Sequence, residues 1–126
     1  MSGAGAVEMR LVNSTRHVVV ADRVQRAVAI RDRIRGLLGR SIFAEGDALV
    51  IAPCNAVHTF FMKFPIDAAF LDRHGRVVRT VAEMRPWRAT RFHLGASQVV
   101  ELPAGTLART GTGVGDLLIF RERGAV

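Results

Sequence analysis

Ala68 to Leu71 and Arg76 to Val81 are two short strand-like runs with only Asp72-Arg73-His74-Gly75 between them. An Asp opening the break and a Gly closing it suit a tight turn, because the Asp side chain can bond turn amides and Gly takes a positive φ without a Cβ clash. The three pieces together read as an antiparallel hairpin. Such a hairpin in mid-chain obliges its neighbours to pair with it or pack on it, and the rest of the punctuation agrees. Glu8 to Val12 and His17 to Ala21 flank a turn-like Asn13-Ser14-Thr15-Arg16. Ala48 to Ala52 is a strand halted by Pro53, and Val57 to Lys63 is predicted to be another, ended by Phe64-Pro65. Gln98 to Leu102 and Leu117 to Arg121 close the series on either side of two glycine-rich turns.

One segment changes period. Ile30, Ile34, Leu37 and Leu38 recur at helical spacing with Arg31, Asp32, Arg33 and Arg35 opposite, so residues 28–38 are predicted to form an amphipathic helix stopped by Gly39. Residues 84–95 show neither period and read as a long loop of the kind that carries function. About seven to eight short strands with one amphipathic helix predict a mainly β fold, a compact β-sandwich or a distorted barrel. The 126 residues make one domain, 1–126, with an ordered core expected over about 8–122.

Composition matters chiefly for what it excludes. No apolar run approaches the roughly 18 residues of a membrane span, and the first ten residues lack the basic start and apolar block of a secretory signal. The expectation is a soluble, cytoplasmic protein. A single Cys excludes an internal disulfide. The net charge is +7, and 17 of the 18 basic residues are Arg, which beside one Lys and no Tyr reads as coding preference more than as a selected anion surface. Nucleic acid is therefore not the expected partner, although Arg forks do suit carboxylates and phosphates.

Cys54, His58 and Met62 lie four apart, which invites soft-metal or thiol chemistry. On a strand, residues i and i+4 share a face but lie about 13 Å apart, too far to share a metal or a proton. Pro53, Val57, Thr59, Phe60 and Phe61 favour a strand. A joint site of Cys54 and His58 then needs a bend at Asn55-Ala56. Without one, Cys54 is a small hydrophobe and His58 a satisfied core residue. No metal site and no cofactor are expected.

Asp67 stands among Ile66, Ala68, Ala69, Phe70 and Leu71, so its carboxylate should be partly buried and needs a specific partner: His58, an Arg or backbone amides. In the plainer reading it ties strands together. In the sharper one it orients His58, which activates Cys54 as in thiol hydrolases. Met62, the sole Trp at 87 and Arg88 lie in or beside the predicted loop and can hold a small anionic or sugar-like ligand by stacking and charge, unless Trp87 merely plugs the core. Gly111-Thr112-Gly113-Val114-Gly115 and Gly36-Leu37-Leu38-Gly39 both lack phosphate-loop spacing. Glu101 is expected to pair with an Arg, and Arg31, Arg33 and Arg35 to form a solvated face.

The order His58-Thr59, Met62, Pro65-Ile66-Asp67 and Phe70-Leu71-Asp72, with Arg35-Gly36-Leu37-Leu38-Gly39-Arg40 upstream, resembles the bacterial family called domain of unknown function 192. Pro86-Trp87-Arg88, Glu101-Leu102-Pro103-Ala104-Gly105 and Gly115-Asp116 extend the likeness from Leu11 to Phe120. The resemblance implies a compact β fold with a helix on one side and no shared reaction. Many relatives look exported, and the leader they carry is not seen here. The favoured expectation is a non-enzymatic domain that binds a small ligand or a protein partner near His58, Met62, Asp67, Trp87 and Arg88. The alternatives are a thiol-dependent hydrolase using Cys54, His58 and Asp67, and anion or nucleic-acid binding through Arg.

Overall fold

The computed structural model describes residues 8–27 and 43–123. Its strands are β1 (Met9–Asn13), β2 (Val18–Ala21), β3 (Arg23–Ala27), β4 (Asp47–Ile51), β5 (Ile66–Leu71), β6 (Val77–Met84), β7 (Gln98–Pro103) and β8 (Leu118–Glu122), with a short helix α1 (Thr106–Thr110) before β8. They form a three-stranded sheet in the order β2-β1-β8 and a five-stranded sheet in the order β3-β4-β7-β5-β6. The fold is mainly β, and of the two forms expected it is the open sandwich and not the barrel. The helix predicted over 28–38 lies outside the described residues.

The hairpin forms as its turn chemistry requires. β5 and β6 pair antiparallel, with Ala69 opposite Thr80 and Phe70 opposite Arg79. In the turn, Asp72 Oδ1 accepts the amides of His74 at 2.8 Å and Arg76 at 3.0 Å. The Arg76 amide bond holds the Asp72 carboxyl below the usual carboxylate range, against the opposing effect of desolvation and with help from His74. Gly75 has φ +90, and a Cβ on it would lie 2.6 Å from the Leu118 carbonyl oxygen, so both dihedral and space demand glycine.

β5 runs between β7 and β6, and all six of its residues are buried. Because strand side chains alternate, Ala69 and Leu71 join Leu11, Val50, Leu102 and Leu118 in the core between the sheets. Ile66, Ala68 and Phe70 fill a second core on the outer face of the five-stranded sheet. Each large aliphatic or aromatic side chain buried this way contributes about 1.5–3 kcal/mol. A sheet covered on both faces explains why the β5 run lacks polar alternation.

The second core is roofed by irregular chain, and here one expectation fails. Val57 to Lys63 is not a strand: only His58 forms a bridge, to Ala89, as residues 55–59 run antiparallel to 88–93. The Thr59 amide donates to Arg88 O at 2.8 Å, that of Thr90 to Val57 O at 2.9 Å, and that of His93 to Asn55 O at 2.9 Å. Beyond Thr59 the chain turns back on itself, with the Met62 amide bonded to Thr59 O at 3.2 Å. β-branched and aromatic content favours a pleated surface only where a partner strand continues, and none does past Thr59. β3 was not anticipated. It pairs parallel to β4 as a sheet edge, and its Arg-Val-Gln-Arg-Ala composition gives little apolar signal.

Where the first and last strands meet, a buried polar cluster replaces apolar packing. Asn13 Nδ2 donates to Thr112 Oγ1 at 3.1 Å and to Asp116 Oδ2 at 2.9 Å. Burial alone would raise the Asp116 carboxyl, but bonds from Asn13, the Gly113 amide and Arg16 outweigh it and hold the group below the ordinary range.

Candidate functional site

Asp67 is fully buried, and its partners are backbone amides. Oδ1 accepts from Glu83 N–H at 2.8 Å, while Oδ2 accepts from Gly105 at 3.1 Å and from Leu107 at 2.8 Å. The bond to Glu83 has a local purpose. Between Ile66–Met84 and Ala68–Val81 the pairing register slips, so β6 carries an extra residue, and Glu83 there adopts φ +50. Asp67 thus pins from inside a bulge that bends the end of an edge strand.

The three residues of the thiol-hydrolase reading are not brought together. Asp67 shares the strand face of Ala69 and Leu71 and bonds the amide of Leu107, which belongs to the core between the sheets. Cys54 packs against the core on the opposite face of that sheet. Its Sγ donates to Ala56 O at 3.0 Å, and it borders a depression with Pro53, Asn55, Ala96 and Ser97. His58 is half-buried, its ring stacked on Phe60 at 4.9 Å and its Nδ1 accepting the Phe60 amide at 3.3 Å. The five expected ligand-binding residues do not share one surface either. Met62 is buried in the second core with Ile66, Phe70 and Met84, so neither it nor Asp67 reaches solvent, whereas Trp87 and Arg88 are exposed.

What Trp87 does share is a scaffold with Phe60 and Phe61. Thr59 is buried, and its hydroxyl donates to Arg85 O at 2.6 Å while accepting the Arg88 amide at 2.9 Å. Its carbonyl accepts the Trp87 amide at 2.9 Å. One threonine therefore staples the turn Arg85-Pro86-Trp87-Arg88 to the turn Thr59-Phe60-Phe61-Met62. Trp87 meets Phe61 edge-on at 4.6 Å and Phe60 at 6.1 Å. Phe61 at φ +66 and Trp87 at φ +64 hold left-handed backbone that costs a non-glycine residue on the order of 1 kcal/mol each.

Beside this ridge lies an open groove of about 580 Å³ between β6 and residues 85–91. Arg79, Arg85, Arg88 and Arg91 line it, opposed by the single carboxylate of Glu83. Arg79 lies over the Phe70 ring, 5.4 Å from its centroid, which fixes the guanidinium against the sheet. Of the other described arginines, Arg10 meets Asp22, Arg16 meets Asp116, Arg23 meets Asp47, Arg109 meets Glu45 and Arg123 meets Glu8, while Arg26, Arg73, Arg76 and Arg121 are scattered and have no acid partner among the described residues. Among the described residues the four groove arginines have no carboxylate within ion-pair distance, so their charge stands uncompensated. No three His, Cys, Asp or Glu side chains of the described residues gather to hold a metal, and no described helix is long and apolar enough to cross a membrane.

Of this arrangement Arg88 and Trp87 were anticipated, whereas Thr59, Phe60, Phe61, Arg79, Arg85 and Arg91 were not. Two signals were available. Adjacent aromatics cannot both point inward from a strand, and Pro86 at the second place of a four-residue turn sets Trp87 at the third.

Fold and site together define a class, a small two-sheet β domain carrying a basic groove and exposed rings on one side. The chain belongs to the family called domain of unknown function 192, described as an uncharacterized ACR, whose model matches residues 11–120. A UPF0127 protein of Thermococcus sibiricus is 31% identical over 124 residues, covering 92% of this chain and 79% of the relative. A protein of unknown function from Novosphingobium aromaticivorans has the same fold, with a TM-score of 0.74 at 19% identity over 94% of this chain and 89% of its own. A candidate transcription regulator from Sinorhizobium meliloti gives 0.73 at 23% identity over 94% and 95%. At such identities these two likenesses speak for the fold alone.

Proposed function

We propose that the protein is a non-enzymatic binding module whose ligand is anionic and occupies the groove between β6 and residues 85–91. The observation that carries this reading is the gathering of four arginines, Arg79, Arg85, Arg88 and Arg91, along one groove, none of them ion-paired to a carboxylate among the described residues. Like charges round a shared groove repel, and an anion relieves that repulsion with forked hydrogen bonds. Asp67 serves as a positioning residue, since its bond to Glu83 holds the bulge that forms one wall. The thiol-hydrolase alternative has less behind it, because Asp67 and Cys54 pack on opposite faces of one sheet.

Pyrophosphate, a soluble polyanion, is a suitable probe. It should raise the unfolding temperature at low salt, because a ligand that binds only the folded state stabilises by about 2.7 kcal/mol at a hundredfold excess over Kd. The shift should vanish in an Arg85→Gln, Arg88→Gln double variant and persist in Arg121→Gln, on the far sheet. An equal response from both variants would mean that net charge alone attracts the anion, and the groove would lose its role.

A further inference from the structure

The two stapled turns place a large ring where a turn of this kind ordinarily has glycine. Phe61 and Trp87 are each the third residue of a four-residue turn and have positive φ, the pattern of a type II turn. Neither strain is repaid by burial, for Phe61 is 65% and Trp87 56% exposed. His58, Phe60, Trp87 and Phe61 form a continuous chain of rings at centroid separations of 4.9, 6.1 and 4.6 Å. The charged residues interleaved with them, Lys63, Arg85 and Arg88, are all cations and all exposed.

We propose that this projecting knob docks on an anionic lipid surface, with the Phe61 and Trp87 rings entering the headgroup boundary and the cations meeting lipid phosphates. The proposal rests on the anion-groove reading and names its anion as a lipid headgroup. Trp gains at a membrane interface, where its ring is apolar at one end and wet at the indole N–H, and Phe gains by burying its apolar ring at the acyl boundary. Each Lys or Arg near an anionic surface adds about 1 kcal/mol, roughly fivefold in partitioning. Two other occupants fit less well. Stacked bases need open ring faces, and Trp87 already carries Phe61 edge-on at 4.6 Å and Phe60 tilted at 6.1 Å. An apolar peptide anchor needs a recess of its own kind, and the adjoining recess is lined by arginine. Phe92 and Leu94, also exposed, flank His93, which bonds Asn55 at the far end of the ladder from Trp87, and are not part of the knob.

Trp87 is the sole tryptophan, so its emission reports on this site alone. Flotation with vesicles of phosphatidylcholine alone, and of phosphatidylcholine with about 30% phosphatidylglycerol, should show binding to the second only. Trp87 emission should shift to the blue and be quenched by acyl-brominated lipid. Phe61→Gly, which suits the backbone, should weaken partitioning about tenfold, and Arg88→Gln about fivefold. Failure to float with anionic vesicles overturns the proposal. So does flotation without an emission change, which net charge would explain. Ring-dependent self-association or nucleic-acid binding in place of vesicle binding overturns it as well. Phe61→Gly should leave the pyrophosphate shift intact. If pyrophosphate binds and vesicles do not, the groove reading stands and the lipid proposal falls; if neither binds, both fall.

Discussion

Asp67 and Trp87 invert the usual distribution of residues. A carboxylate lies buried on an interior strand of the larger sheet, and an indole stands in solvent on a turn. The carboxylate is answered atom by atom, with three backbone amides from two distant segments on its two oxygens. The indole is met by the rings of Phe60 and Phe61, and its backbone is strained as well. Burying a charge with well-aimed amides converts a cost into a clamp on the chain. Exposing a ring on strained backbone gives the fold little beyond contacts with two other exposed rings, and so points to a use outside it.

The contrast can be broken from either end. Asp67→Ala should have the largest effect, about 4 kcal/mol lost in urea denaturation, because the amides of Glu83, Gly105 and Leu107 lose a charged acceptor together; a loss under about 1 kcal/mol would show the clamp to be idle. Asp116 sharpens the same point through pH. A carboxyl held below its unfolded value of about 4 contributes fully above that pH, and the contribution is lost as pH falls through the lower folded value. The urea midpoint should therefore drop between pH 7 and pH 3, and drop less in Asp116→Asn. Thr59→Val removes the staple and leaves the Arg88 amide without its acceptor, for about 2 kcal/mol, with a change in Trp87 emission that a mere core defect would not produce. Trp87→Gly should be smallest, within about 1 kcal/mol of zero. Relief of the positive φ, about 1 kcal/mol, is offset by glycine's unfolded-state entropy and the lost ring contacts. A loss of several kcal/mol there would make Trp87 a structural plug after all.

What was legible in the chain followed local chemistry. The Asp72–Gly75 turn, the β5 run and the strands near 48–52, 98–102 and 117–121 announced themselves through turn residues and apolar content that act within a few positions. The burial of Asp67 was legible too, and backbone amides were among its anticipated partners. The groove was not. Arg79 reaches it from β6 and Arg91 from the roof, and they meet only because residues 88–93 lie along 55–59, a pairing that no spacing announces. The strand expected over Val57–Lys63 failed for the same reason. Its propensity was real up to Thr59, where a buried hydroxyl bonded to Arg85 turns the chain away. β3 escaped notice because a parallel edge strand needs neither alternation nor a hairpin partner.

The pairing of β1 with β8 sets a clock on synthesis. Met9 lies opposite Glu122, and Arg123 bonds back to Glu8 through both main chain and side chain. The smaller sheet therefore cannot close until residue 122 has left the ribosome. Until then Leu11, Val20 and the inner face of β5 wait uncovered, and an emerging chain must either be shielded or finish quickly.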